Sequence, residues 1–257
     1  MKNIEILNNE KIIRGILHGE SFDHIVILVH GFAGNLNGPN DIFVRLVEKL
    51  LTYHSREGGN PLLLKQDFSV LRFSFSGTPP SDGDFVDMIL ESEVSDLKKV
   101  LEFVKNSGYK KISILGESMG GAVVAKVLPE DFSNIIFWYS CFDFLNSSFK
   151  QDFLSEGPQK FLAENGFVQY DDFKVGKKFI DEIPFVNTYE DLKKINSRVL
   201  FLHGDSDTDT PSEQSQIGFE KVSTEKHLKF IEGANHCFRN EQDEAIDLTI
   251  NFLRENF

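Results

Sequence analysis

Cysteine, basic charge and long apolar runs are all scarce in this chain of 257 residues, and each shortage narrows what the protein is. The two cysteines, Cys141 and Cys237, form neither a metal-ligand spacing nor a disulfide framework. Both read as small apolar fillers. Lysine and arginine number 27 against 40 aspartates and glutamates, a net charge of −13. A surface of that sign repels nucleic acid and anionic membranes, so neither is an expected partner. The opening residues, MKNIEILNNEKIIRG, interrupt every apolar run with a charge or an amide, and no later run reaches the length of a membrane span. No stable membrane insertion is expected, and the cytoplasm is the expected compartment.

What remains is enough chain for one large domain with a well-buried core. Residues 4–7 and 11–18 read as a hairpin turning at Asn8 and Asn9, on the edge of a sheet. IVILVH at 25–30 is the continuous apolar run of a strand buried on both faces. Helical periodicity follows over 41–51, then a strand over 69–75. The stretch 53–67 fits neither period, with its Gly-Gly pair, Asn-Pro and leucine run, and reads as a surface-loop insert with no catalytic part. Residues 76–83 form a turn-rich loop expected at the mouth of the site. Val94, Leu97, Val100, Leu101 and Val104 make a helical stripe facing the sheet. Further strands are expected at 134–139, 198–203 and 228–231, and helices from 211 and over 241–252. Alternating strands and helices imply an α/β architecture, a mostly parallel sheet covered on both faces.

That alternation stops over 141–192, where nine phenylalanines are mixed with charges and two X-Pro pairs. The segment reads as an inserted cap over the strand ends, with residues 1–140 and 193–257 forming the core. Most of its aromatic residues should pack on one another, and the others should line a pocket. Phe142 and Asp143, at the front of this cap, join Phe32 as expected substrate contacts.

The chemistry is concentrated at GESMG, residues 116–120, between an apolar β-prone run and a stretch of small residues. A sharp strand-to-helix turn there would expose Ser118 Oγ, and only glycines at 116 and 120 let the flanking backbone come so close. A serine hydroxyl needs a base, and the base needs a group to hold it. After such a turn the acid comes next in the chain and the histidine last. His18, His24, His30 and His54 precede Ser118, and His203 precedes the late acids, which leaves His227 and His236. His227 opens a strand; His236 sits in a loop beyond a strand end, where catalytic groups are presented. His236 is therefore the expected base. Asp207 is the expected acid, with Asp205 second and Asp143 third, while Asp205 and Asp209 read as turn and capping groups. The glycine-bearing loop after His30 would offer the Phe32 N–H as an oxyanion donor.

These residues resemble those of the α/β-hydrolases, in particular the esterase and acyl-hydrolase branch with the cinnamoyl (feruloyl) esterases and monoacylglycerol lipase-like enzymes. The resemblance lies in VHGF at 29–32, RFSFSG at 72–77 with SDG at 81–83, GESMGG at 116–121, HGDSD at 203–207 with Pro211, and Asn235-His236. It implies Ser118 as nucleophile, His236 as general base and acid, Asp207 as its orienter, and the N–H groups of Phe32 and Met119 as the oxyanion hole. The expected activity is hydrolysis of a small-molecule carboxylic ester through an acyl-enzyme, with no metal or cofactor. The alternatives are a thioesterase or serine peptidase on the same fold, or an inactive binding protein. Ser74 and Ser76 stand where the family often has Asp and Arg, which implies a less charged mouth.

Overall fold

The computed structural model describes residues 1–52 and 67–255. The chain begins with β1 (Lys2–Asn8), β2 (Lys11–His18), β3 (His24–Val29), α1 (Ile42–Thr52) and β4 (Phe68–Phe73). Next come α2 (Leu90–Asn106), β5 (Lys111–Glu117), α3 (Met119–Lys126) and β6 (Asn134–Trp138). Then α4 (Phe149–Leu154), α5 (Glu156–Asn165), β7 (Phe167–Tyr170), β8 (Phe173–Gly176) and α6 (Lys177–Glu182) follow in turn. The chain finishes with β9 (Arg198–Gly204), α7 (Glu213–Lys221), β10 (Lys226–Ile231) and α8 (Gln242–Arg254).

Eight strands make one sheet, ordered β1-β2-β4-β3-β5-β6-β9-β10, in which only β2 runs against its neighbours. The expected hairpin is indeed the edge. Strand β3 is buried along its whole length, and its side chains divide by parity. Ile25, Ile27 and Val29 enter the core shared with α2 and α3, while Val26 and Leu28 join the core under α1 and α8. A sheet with helices on both faces needs that continuous apolar run. Helix α2 starts at Leu90, earlier than the stripe at 94–104 implies, because Leu90 joins the apolar face and Glu91 suits the positive first turn.

The segment between β6 and β9 adds no strand to this sheet; β7 and β8 pair with each other alone. The insert expected over 53–67 lies outside the described residues except for Asp67. The loop at 76–83 does not border the site, contrary to expectation. It is drawn onto β2, where Asp82 accepts from the Ile12 N–H at 3.1 Å and pairs with Arg14 at 2.6 Å. No helix among the described residues is long and apolar enough to cross a membrane.

The register aligns the strand ends. Val29 lies beside Gly116, Glu117 beside Trp138, and Gly204 beside Ile231. From β3 the chain passes to β4 on one side and later to β5 on the other. The loops that leave β3, β5, β9 and β10 therefore open on one edge, at the switch point where such sheets hold ligands.

Candidate active site

At the end of β5 the chain reverses within one residue. Ser118 sits at φ 52° and ψ −123°, a conformation side-chain-bearing residues avoid, and α3 begins at the next residue. Glycine makes this turn possible. A Cβ on Gly120 would lie 2.6 Å from the carbonyl oxygens of Val29 and His30, and one on Gly116 would lie 2.8 Å from the Gly121 Cα.

The loop after β10 brings His236 to this turn, with Nε2 3.1 Å from Ser118 Oγ and Nδ1 2.7 Å from Asp207 Oδ2. Its ring lies edge-on to Tyr139, centroids 4.7 Å apart. The loop after β9 supplies Asp207, whose carboxylate is fully buried. Oδ1 accepts from the N–H groups of Asp209 and Thr210 at 2.9 and 3.0 Å. Oδ2 accepts from His236 and also from His203 Nε2 at 3.1 Å. Burial alone would raise the Asp207 pKa, but the hydrogen bonds from His203 and His236 hold it well below the usual carboxylate range. Burial would lower the His236 pKa, yet the bond to Asp207 raises it above 6.5. One carboxylate thus stays ionised and makes its imidazole a stronger base.

His203 is the partner that chain-order reasoning missed. Its Nε2 faces two acceptors, Asp207 Oδ2 and Thr210 O at 2.9 Å, so Nε2 carries the proton and Nδ1 accepts from Ser215 Oγ at 2.7 Å. It is not a base but a second donor to the acid. The residue was visible in HGDSD; that its ring turns back onto Asp207 was not.

Asp205 fills the turn role expected of it, with Oδ1 accepting from the Gly233 N–H at 2.8 Å and so tying the β9 loop to the loop that carries His236. Asp209 does not cap α7, which starts at Glu213 with no side-chain cap from Ser212. Two other placements also need correction. Phe142 is fully buried against Phe137, Phe201 and Tyr189, away from the cavity, because the β6 to β9 crossover needs an apolar plug there. Asp143 is bound by Asn146 and Asn187 at 2.8 and 3.0 Å and does not reach His236. Ser74 and Ser76 lie off the cavity as well; Ser74 Oγ is tied to Pro79 O and the Leu36 N–H.

The loop after β3 is fixed on both sides of the Gly31 Cα. The Gly31 N–H donates to Glu117 Oε2 at 2.9 Å, and the Gly31 carbonyl accepts from His30 Nδ1 at 2.8 Å. His30 Nε2 in turn accepts from the Phe75 N–H at 3.1 Å. Burial drops the His30 pKa to about 4 against the opposing bond to Gly31, so the ring is neutral. A Cβ on Gly31 would lie 2.8 Å from Ser118 Cβ, which shows how closely this loop abuts the serine. Among the described residues, the N–H groups of Phe32 and Met119 find no acceptor.

Phe32, Ser118 and His236 line a cavity of about 490 Å³ with Cys141, Cys237, Phe149 and Tyr170. Cys141 is the buried filler expected, and burial pushes its thiol up to about 12. Cys237 is half-buried on the cavity wall. Its sulfur, a Glu117 oxygen and a His236 nitrogen lie within 4.8 Å of one another, a set chemically able to hold a metal ion. Both His236 nitrogens are already engaged by Ser118 and Asp207, so an ion there would compete with those bonds.

The family model described as "Alpha/beta hydrolase family" matches residues 26–247. The chain belongs to this family. Among solved structures, this hydrolase is similar to Est1E from Butyrivibrio proteoclasticus with ferulic acid bound, at 18% identity and a TM-score of 0.78, over 98% of each chain. The esterase EaEST from Exiguobacterium antarcticum matches at 16% identity and a TM-score of 0.73, over 99% of this chain and 100% of that one. The monoacylglycerol lipase of Paleococcus ferrophilus matches at 19% identity and a TM-score of 0.67, over 94% and 98%. At such identities the likeness is one of fold. No curated protein matches the chain.

Proposed function

We propose that this alpha/beta hydrolase is a serine esterase that cleaves small-molecule carboxylic esters through an acyl-enzyme. The observation that carries the reading is the unbroken hydrogen-bonded chain from Ser118 Oγ through both nitrogens of His236 to Asp207. Ser118 Oγ attacks the ester carbonyl while His236 Nε2 takes its proton, and Asp207 stabilises the imidazolium that forms. The negative charge on the carbonyl oxygen is met by the N–H groups of Phe32 and Met119, donors fixed before the reaction begins. His236 then returns the proton to the alcohol oxygen, the C–O bond breaks, and Ser118 is left acylated. In the second step His236 removes a proton from water, the hydroxide attacks the acyl carbon, and Ser118 leaves with the proton from His236. Every transfer uses groups of this chain and water.

A fluorophosphonate probe should label Ser118, and Ser118→Ala should abolish both labelling and hydrolysis of p-nitrophenyl acetate. Undiminished hydrolysis by Ser118→Ala would sink the assignment. Turnover of thioesters or peptides well above that of oxygen esters would move the activity to those substrates with the same residues.

A further inference from the structure

The cavity beside Ser118 is walled in part by a packed aromatic stack. The ring of Phe32 stacks on Phe179 at 5.0 Å between centroids and meets Phe149, Phe153 and Tyr170 edge-on at 5.0, 5.7 and 5.2 Å. Phe153 and Phe179 are fully buried, and Phe144 closes the stack from behind at 5.1 Å from Phe149. Phe144, Phe149, Phe153, Tyr170 and Phe179, all between β6 and β9, are therefore committed to packing on one another and on Phe32. Among the described residues of that segment, Phe149 and Tyr170 are the aromatic side chains on the cavity wall. Much of the remaining wall hydrogen-bonds, with Asn35, Asn40, Ser147, Asp171, Asp209 and Arg239 around the mouth.

Resting on the esterase reading, we infer that the substrate is a short-chain acyl ester of a polar, hydroxyl-bearing alcohol, and that Phe149 sets the limit on acyl length. The cavity must hold both halves of the ester, and one half meets a packed aromatic stack. Each methylene entering an apolar tunnel would raise kcat/KM about fourfold; here added methylenes meet filled space. On the other side, an alkyl alcohol would strip water from amide, hydroxyl and charged groups without replacing their hydrogen bonds.

The test uses the whole protein with p-nitrophenyl esters from acetyl to octanoyl, together with glyceryl acetate against pentyl acetate, alcohols of equal heavy-atom number. The expected kcat/KM is level or falling from butyryl to octanoyl, where an open tunnel would give a rise of about two-hundredfold over four methylenes. Glyceryl acetate should exceed pentyl acetate roughly tenfold. Phe149→Ala should move the optimum to acyl groups at least two carbons longer. Phe149→Leu, which keeps more of the packing, should move it the same way if the alanine variant does not fold. A rise in kcat/KM through octanoyl, pentyl acetate equal to or better than glyceryl acetate, or an unmoved optimum in a folded Phe149 variant would overturn the inference while leaving an esterase in place. Failure of fluorophosphonate to label Ser118, with no ester cleaved, would instead remove the esterase reading and the inference with it.

Discussion

Replacing Asp207 by asparagine is the most searching perturbation, because the structure dictates which way the new amide must point. Two backbone donors, the N–H groups of Asp209 and Thr210, converge on Oδ1. The amide oxygen has to take that place, which puts Nδ2 where Oδ2 stood, 2.7 Å from His236 Nδ1 and 3.1 Å from His203 Nε2. An amide N–H aimed at His236 Nδ1 forces the imidazole proton onto Nε2, facing Ser118 Oγ. The ring then stays in position but in the wrong tautomer, and it can no longer accept the serine proton. A loss of that kind is on the order of ten-thousandfold in kcat, equivalent to about 5 kcal/mol of transition-state stabilisation. The fold should suffer much less. His203 can move its own proton to Nδ1, donate to Ser215 Oγ and accept from the new amide, giving up only its bond to Thr210 O; the cost is about 1 kcal/mol, or a few degrees in Tm. Steady-state hydrolysis of p-nitrophenyl acetate and a thermal melt on the same samples separate the two effects. Asp205→Asn, which alters the ties to the Gly233 N–H and Ser206 Oγ but none to His236, serves as the control and should change kcat/KM a few-fold at most. A variant Asp207→Asn that keeps a tenth of the wild-type rate, or a larger loss at Asp205, would refute the reasoning.

Other expectations follow from the same geometry. Glu117→Ala removes the acceptor that fixes the Gly31 N–H, so kcat should drop about tenfold, short of the hundredfold or more for outright loss of an oxyanion donor, with KM little changed. Glu117→Gln keeps an oxygen for that N–H and should restore most of the rate; equal loss in both variants would contradict a positioning role. The raised pKa of His236 places the acid limb of kcat/KM above pH 6.5, since the base must be neutral to act, and a limb centred below 6.5 would count against it. Stability has the opposite kind of group in His30. Its folded pKa is depressed from 6.5 to about 4, so its contribution is present above pH 6.5 and is lost as the pH falls through that window. The loss is about 2 kcal/mol between pH 7 and pH 4.5, with buried His24 acting in the same direction, and urea midpoints at those two pH values should differ accordingly. Gly120→Ala drives a methyl group against two backbone carbonyls and is expected to yield no soluble folded protein, as judged by expression and circular dichroism.

Much of the fold was legible in the sequence because its signals are local. A strand such as IVILVH is buried on both faces wherever it sits in a parallel sheet, and β3 is buried at every position. Strand β10 runs longer than the 228–231 that the apolar pattern implies, because its first residues, Lys226 and His227, carry no apolar signal; Lys226 Nζ instead donates to the carbonyls of Phe219 and Val222 at 2.9 and 2.7 Å. The loop at 76–83 was misplaced for a different reason. Turn chemistry says where the chain bends, not which neighbour the bend leans on, and the deciding contact is Asp82 with Arg14, 68 residues away in sequence.

The chain alone determined the sharp turn at Ser118, whose glycines are demanded by sterics within five residues, and an order of residues that narrowed its candidate partners to His227 or His236 and to the acids after His203. Tertiary structure alone decided that His203 turns back onto Asp207, that Glu117 binds the Gly31 N–H while His30 binds the Gly31 carbonyl, and that Phe142 and Asp143 stand away from the cavity. Those arrangements depend on which side chains meet across strand ends distant in sequence, and spacing along a chain does not encode the direction in which a buried side chain points once the sheet has twisted and packed.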